Sequence, residues 1–148
     1  MLEFIFHQPH SLTEALGLLA QYGKGARILA GGTDMLIYLR SRRNLEGVEH
    51  IIDIGTLHDL EYIRQDGENL RIGCLATHTQ VAQSPLIRQH AGLLGKAAAA
   101  VGSPQVRNRG TIGGNVANAA VCADTVSPLV ALEACVKLEK VGEHRWLP

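Results

Sequence analysis

Short apolar segments separated by glycine dominate the first third of the chain. A capping box that begins at Ser11, followed by apolar residues at helical spacing, predicts a helix that ends at about Tyr22. The apolar runs Ala26–Ala30 and His50–Ile54 are typical of short buried strands, and Met35–Leu39 has the pattern of a second helix. This alternation of helices and strands predicts a small α/β lobe.

The rest of the chain alternates short extended runs with helical segments. The runs Leu60–Gln65 and Asn69–Gly73 flank Asp66-Gly67, and residues of that type between two short runs favour a β-hairpin. Helical signals then occur as a cap at Thr77, a first-turn proline at Pro85, the alanine-rich run Leu93–Val101 and a segment from Pro128 to about Ala134. The final runs, Cys135–Glu139 and His144–Leu147, are predicted to be strands.

The predicted fold class is α+β, in two lobes. The first covers residues 1–55, and the second covers residues 56–148 and has a mostly antiparallel sheet. A chain of 148 residues is long enough for one domain with a real core or for two small lobes.

Composition and charge exclude several classes of function. Lysine plus arginine and aspartate plus glutamate both number 14, which leaves no bulk electrostatic case for binding nucleic acid or an anionic membrane. No segment approaches the ~20 apolar residues of a membrane span, and the first residues form no signal peptide. We therefore expect a cytoplasmic protein without a membrane span. The basic patch Arg40–Arg43 is either a solvated helix end or a contact for an anion or a partner.

The cysteines, histidines and serines offer no catalytic or metal-binding pattern. Cys74, Cys122 and Cys135 lack C-x-x-C spacing, which argues against a zinc site or an iron–sulfur cluster on this chain and fits reduced thiols. None of the seven histidines shows H-x-x-x-H spacing, and no G-x-S-x-G motif is present. We therefore predict no catalytic side chain and no metal ligand.

Two glycine-rich segments, Ala30–Asp34 and Thr111–Asn115, are the strongest candidates for a binding site. Glycine allows backbone N–H groups to converge closely on a pyrophosphate and to adopt positive φ angles. In the first segment, Thr33 or Asp34 could instead cap a helix without any ligand. The second could be a long surface loop with two solvated arginines. Neither has the G-x-G-x-x-G spacing of a Rossmann dinucleotide site.

Asp124 is a further candidate, nine residues after Asn115. Its carboxylate could accept a hydrogen bond from a ribose or another polyol hydroxyl. It could equally cap the predicted helix around Pro128. The sequence leaves both roles open.

Three motifs, in matching order and spacing, carry a resemblance to a known family. They are Ile28–Asp34 (ILAGGTD), Gln105–Asn115 (QVRNRGTIGGN) and Ala123–Leu129 (ADTVSPL). The chain resembles the FAD-binding medium subunit of molybdenum hydroxylases, a family that includes flavin subunits or domains of xanthine dehydrogenase, aerobic carbon monoxide dehydrogenase and 4-hydroxybenzoyl-CoA reductase. The resemblance runs from about Phe4 to the end of the chain. It implies a PCMH-like FAD-binding fold, with the cofactor in a cleft between the two lobes.

The resemblance implies an oxidoreductase subunit that transfers electrons. In this family a molybdenum-cofactor large subunit oxidises the substrate, and two [2Fe-2S] clusters on a small subunit relay the electrons. FAD on the medium subunit passes them to an acceptor such as NAD⁺. FAD would thus be the cofactor of this chain, and the other two subunits would be its partners. The alternatives are a truncated, non-catalytic fragment that binds FAD weakly or only within an assembly, and a binder of another nucleotide or phosphate ligand.

Motif matching also implies which residues contact FAD. Residues 28–35 would line the diphosphate, residues 111–115 would form a second wall, Asp124 would bind the ribitol or ribose, and Val101 would lie near the flavin. The implied cofactor-binding residues are Ile28, Leu29, Ala30, Gly31, Gly32, Thr33, Asp34, Met35, Val101, Thr111, Ile112, Gly113, Gly114, Asn115 and Asp124.

The chain departs from the family pattern in two ways. The family's flavin domain continues beyond the position of Pro148 and contributes further isoalloxazine contacts there, so the resemblance implies a chain truncated at its C-terminus. The [4Fe-4S] cluster of the 4-hydroxybenzoyl-CoA reductase branch is not expected, because the three cysteines do not provide its ligands.

Overall fold

The computed structural model describes residues 3–41 and 45–148. Arg42 and Arg43 of the predicted basic patch therefore lie outside the described residues. The chain forms two compact units. The first contains the described residues up to Leu57 together with Cys135–Leu147, and the second contains His58–Ala134.

The helices and strands are short. The first unit contains, in chain order, β1 (Ile5–His7), α1 (Leu12–Tyr22), β2 (Ala26–Leu29), α2 (Met35–Ser41) and β3 (His50–Asp53). The second contains β4 (Ile63–Asp66), β5 (Asn69–Ile72), α3 (His78–Gln83), α4 (Pro85–His90), α5 (Gly92–Ala100), α6 (Pro104–Arg107), α7 (Ile112–Asn118) and α8 (Val126–Ala131). The chain then returns to the first unit in β6 (Val136–Lys140) and β7 (Glu143–Leu147). None of the helices in the described ranges has the length and apolar character needed to cross a membrane.

The first unit is built on a parallel sheet with the strand order β1–β3–β2. The central strand β3 buries Ile51 and Ile52, and Leu45 and Val48 form a hydrophobic cluster with Ile51. The sequence pattern does not predict β1, whose residues are mostly exposed and which is a strand because it pairs with β3. The carboxyl ends of the parallel strands share one edge of the sheet.

Helix α1 begins and ends as its sequence predicts. The Ser11 side chain accepts a hydrogen bond from the Glu14 amide at 3.1 Å, and the Glu14 carboxylate accepts one from the His10 amide at 2.8 Å. Gly23, with a φ of 50°, follows the last helical residue. The β6–β7 hairpin contacts α1, so it belongs to the first unit and not to the second lobe in which the sequence pattern places it.

The second unit consists of the β4–β5 hairpin and the helices α3–α8. The hairpin turns at Gly67, whose φ of 60° favours glycine, as the Asp66-Gly67 signal predicts. The core residues of this unit are Ala76, Val81, Ile87, Ala91, Leu94, Ala98 and Ile112. The α+β class is confirmed. The sheet of this unit is antiparallel as predicted, but it is a single hairpin, and helices make up about half of the unit.

Helix α8 ends at Ala131 and not near Ala134 as predicted. Glu133 has a left-handed φ of 52°. The amides of Glu133 and Ala134 donate to the carbonyls of Val130 and Leu129, each at 3.0 Å. This Schellman arrangement ends the helix early.

Candidate functional site

The first glycine loop (Ala30–Asp34) connects β2 to α2 at the carboxyl edge of the parallel sheet. Leu29 before it and Met35 after it both pack against the hydrophobic cluster that contains Ile51. Gly32 has a φ of 77°, a left-handed conformation that residues with a side chain rarely adopt. The loop is therefore anchored at both ends and turned at a glycine.

The fold does not use the amides of this loop. Among the described residues, no N–H group of residues 31–35 donates a hydrogen bond. In the same part of the chain, the side chains of Thr33 and Asp34 make no hydrogen bond to the amides of α2, so the structure does not support the capping interpretation. Unbonded amides at the start of a helix favour an anion, because the peptide dipoles point their positive ends toward it. The loop thus has the donors that a phosphate group needs.

Asp53 and Gly55 lie beside the first glycine loop, where β3 ends. Asp53 pairs with Leu29 in the sheet register, and its Oδ1 accepts a hydrogen bond from the Gly55 amide at 2.9 Å. A Cβ atom built on Gly55 would lie 3.6 Å from the Ala30 carbonyl oxygen. Neither residue belongs to a motif predicted to bind a ligand, although an Asp-x-Gly turn at the end of a predicted strand is a usable signal.

The second glycine motif (Thr111–Asn115) is not a surface loop, because it starts helix α7. Thr111 is the N-cap residue. The amides of residues 112–115 donate, in order, to the carbonyl of Ala76 (2.9 Å), the carbonyl of Cys74 (3.0 Å), the hydroxyl of Thr111 (3.1 Å) and the carbonyl of Thr111 (3.0 Å). These four donors are already bonded within the unit. Within the described residues, the amides of residues 31–35 are therefore unbonded, whereas those of residues 112–115 are not.

Packing, not ligand approach, explains the glycine at position 113. A Cβ atom built on Gly113 would lie 2.5 Å from Cys74 Cβ and 2.6 Å from the Cys74 carbonyl oxygen. The Gly113 amide donates to that same carbonyl. Glycine here lets the first turn of α7 lie directly against the segment that follows β5.

Among the predicted cofactor residues, Asn115 and Asp124 have polar side chains close in sequence to the start of α8. Asn115 Oδ1 accepts a hydrogen bond of 2.5 Å from the hydroxyl of Thr125, which is fully buried. Thr125, and not Asp124, is the N-cap residue of α8. Asp124 is exposed and has no hydrogen bond or ion pair with any described residue. Its carboxylate is thus available to a ligand hydroxyl, and the capping interpretation is not supported.

Val101 and the two nearby arginines have different surroundings. Val101 is buried at the end of α5, and the Arg107 guanidinium donates to its carbonyl at 2.9 Å and to the Gly102 carbonyl at 3.1 Å. Arg109 is exposed. Only Arg109 therefore fits the interpretation of a solvated arginine.

The predicted cofactor residues form three groups, each within one unit. Residues 28–35 are contiguous in the first unit, whereas residues 111–115 and Asp124 lie together in the second through the Asn115–Thr125 hydrogen bond. Val101 lies in the second unit at the end of a different helix. In residues 3–41 and 45–148, no group of three or more His, Cys, Asp or Glu side chains could hold a metal ion.

Comparisons with a family profile and with curated proteins point to the same family. The profile of the family described as "FAD binding domain in molybdopterin dehydrogenase" matches residues 2–148. The nicotinate dehydrogenase FAD-subunit of Eubacterium barkeri is 47% identical over 148 residues, which cover 99% of this chain and 49% of that protein. The carbon monoxide dehydrogenase medium chain of Hydrogenophaga pseudoflava is 37% identical over 145 residues, or 98% of this chain and 50% of that protein.

Solved structures agree with this result. A structure of the carbon monoxide dehydrogenase from Hydrogenophaga pseudoflava matches with a TM-score of 0.93 at 37% identity, over 99% of this chain and 50% of that one. The match confirms the predicted FAD-binding fold. The chain spans about half the length of the relatives it matches.

Proposed function

The chain belongs to the family of FAD-binding domains of molybdopterin dehydrogenases, and we propose that it binds FAD as the electron-transfer component of such an enzyme. The first glycine loop carries this proposal. Its five consecutive amides at residues 31–35, which are unbonded within the described residues, lie at the carboxyl edge of a parallel sheet, where α/β proteins commonly bind phosphate-bearing ligands. We assign the FAD diphosphate to this loop.

The remaining contacts are assigned to side chains of the second unit. Because the amides of residues 112–115 are bonded internally, the Asn115 side chain is the part of the second glycine motif that faces the cofactor in this proposal. Asp124, which is exposed and unbonded within the described chain, would accept a hydrogen bond from a ribitol or ribose hydroxyl. Val101 would contribute an apolar contact near the flavin.

Bound FAD would supply the redox chemistry of the proposed enzyme, and the protein would supply position and electrostatics. In this proposal electrons reach FAD from [2Fe-2S] clusters on a small subunit, after substrate oxidation on a molybdenum-cofactor large subunit. They leave to an acceptor such as NAD⁺. One relative of this chain is named as the medium chain of a carbon monoxide dehydrogenase, and this name supports the multi-subunit arrangement. We propose a cytoplasmic location for the complex.

A pair of matched glycine variants tests the assignment of the diphosphate. Gly32 and Gly47 have φ angles of 77° and 73°, both in the first unit, but only Gly32 lies in the first glycine loop. An alanine at either position is strained and should lower the free energy of unfolding by about 1 kcal/mol. At Gly32 the strain also displaces the amides that would bind phosphate, so Gly32→Ala should weaken FAD binding by roughly tenfold or more. Gly47→Ala should leave FAD affinity unchanged.

The measurement is FAD titration followed by flavin fluorescence, with gel filtration to detect flavin absorbance that co-elutes with the protein. Equal FAD affinity in the Gly32→Ala and wild-type chains would show that the diphosphate binds elsewhere. A wild-type chain that retains no FAD would favour the alternative in which FAD is bound only within an assembly. ADP that binds as tightly as FAD, with no retained flavin, would favour a different nucleotide ligand.

A further inference from the structure

Thr125 is a wholly buried polar residue whose hydroxyl does not cap the helix that it precedes. At an N-cap position, a threonine hydroxyl ordinarily accepts a hydrogen bond from an amide in the first helical turn. Here the backbone is helical, with φ −92° and ψ −14°, and no such bond forms. The hydroxyl donates to Asn115 Oδ1 at 2.5 Å. The fold thus uses this hydroxyl to hold another side chain.

The hydrogen bond from Thr125 determines the orientation of the Asn115 amide. An amide has its acceptor oxygen and its NH₂ group on opposite sides, so engaging Oδ1 turns both N–H donors away from Thr125. Within the part of the chain that the structure describes, the NH₂ group of Asn115 donates to no other residue. Asn115 is also only partly buried. Its two oriented donors are therefore accessible to an acceptor oxygen of a ligand.

We propose that Thr125 is a positioning residue of the FAD site, orienting Asn115 through its hydroxyl and holding the adjacent Asp124 through the backbone. The inference rests on the proposed function. It also explains how the second glycine motif would contact FAD although its amides at residues 112–115 are bonded internally. When a contact with a ligand depends on one side chain, the orientation of that side chain determines the strength of the contact.

The first test compares Thr125→Val with Thr125→Ser in the full chain. Valine keeps nearly the same shape but removes the hydroxyl, so the Asn115 amide is free to rotate and FAD affinity should fall by about tenfold. Serine retains the hydroxyl and should bind FAD as the wild type does. The readout is the FAD dissociation constant from flavin fluorescence, with thermal unfolding of the ligand-free protein measured in parallel.

A second variant and a double-mutant cycle separate positioning from general stability. Asn115→Asp keeps an oxygen for the Thr125 hydroxyl but has no N–H donor and carries a negative charge, so it should fold and bind FAD at least about tenfold more weakly. In an Asn115→Ala background, Thr125→Val should cause no further loss of FAD affinity. A purely structural role would give the same loss in both backgrounds.

The Asn115 side-chain amide signals in the ligand-free protein give a readout that does not depend on FAD. In ¹H–¹⁵N spectra these signals should shift in Thr125→Val and stay in place in Thr125→Ser. Wild-type FAD affinity in a folded Thr125→Val or Asn115→Asp chain would overturn this inference and leave the FAD site intact. Absence of FAD binding by the wild-type chain is a different result, because it contradicts the proposal that this chain binds FAD by itself and favours the alternative in which FAD is bound only within an assembly.

Discussion

Single glycines act in two different ways in the two glycine-rich segments. Gly32 allows a left-handed turn and is followed by amides that remain unbonded in the described chain. Gly113 has its amide bonded to Cys74 and is needed because a side chain would overlap that residue. Substitutions at Gly32 should therefore affect ligand binding, whereas substitutions at Gly113 should affect folding.

Gly113→Ala tests this distinction at the residue scale. The added Cβ would lie 2.5 Å from Cys74 Cβ, and relieving that overlap should lower the free energy of unfolding by about 3 kcal/mol. The control is Gly92→Ala in the same unit, where a Cβ would meet nothing within 4 Å. We expect the control to change stability by less than about 0.5 kcal/mol in urea denaturation. Equal stability of the two variants would contradict the packing role of Gly113.

At the scale of elements, the ends of short helices position the candidate site. In the part of the chain that the structure describes, the start of α2 leaves the amides of residues 31–35 unbonded. The start of α7 is bonded to the segment before α3. The other end of α7 is strained, because Ala119 adopts a left-handed φ of 48° and ψ of 34°. Helices this short have few hydrogen bonds of their own, so the conformation at each end contributes visibly to stability.

Ala119→Gly should stabilise the ligand-free protein. The left-handed conformation costs alanine about 1–2 kcal/mol, and the greater freedom of glycine in the unfolded chain offsets part of the gain, which leaves about 0.5–1 kcal/mol. Ala117→Gly is the matched control, because Ala117 is exposed inside the same helix and glycine there should destabilise by about 1 kcal/mol. Chemical denaturation measures both. Destabilisation by Ala119→Gly would contradict the left-handed helix end.

At the scale of the whole molecule, each unit has its own hydrophobic core and each contains some of the proposed FAD contacts. A ligand that binds the folded chain and not the unfolded one raises the free energy of unfolding by mass action. FAD at about 100 times its dissociation constant should add about 2.7 kcal/mol. Thermal unfolding therefore reports FAD binding without relying on flavin absorbance or fluorescence.

FAD should raise the midpoint of thermal unfolding measured by circular dichroism, and riboflavin at the same concentration should not. Riboflavin has the isoalloxazine ring but no diphosphate, so it cannot use the amides of residues 31–35. The Gly32→Ala chain should lose most of the shift that FAD produces. A riboflavin effect as large as that of FAD would contradict the assignment of the diphosphate to the first glycine loop.

Most of the helices and strands are predicted by caps, turns and first-turn prolines. These signals depend on only a few neighbouring residues, so they can be read from the sequence. The capping serine at Ser11, the glycine turn at Gly67 and the first-turn proline at Pro85 are present where the sequence places them. Strand β1 and the helical form of Thr111–Asn115 were not predicted. Each depends on hydrogen bonds to residues distant in sequence, namely β3 for the strand and the carbonyls of Cys74 and Ala76 for the helix.

The family and the α+β class follow from the sequence alone, because the order of three motifs and the periodicity of apolar residues can be read along the chain. Which backbone amides are unbonded, and which side chains are available to a ligand where the amides are bonded, depends on the tertiary fold. A glycine-rich segment is equally suited to binding a phosphate and to packing against another segment. The acceptors brought to it by the rest of the fold determine which of the two it does: none for the amides of residues 31–35 in the described chain, and one for each amide of residues 112–115.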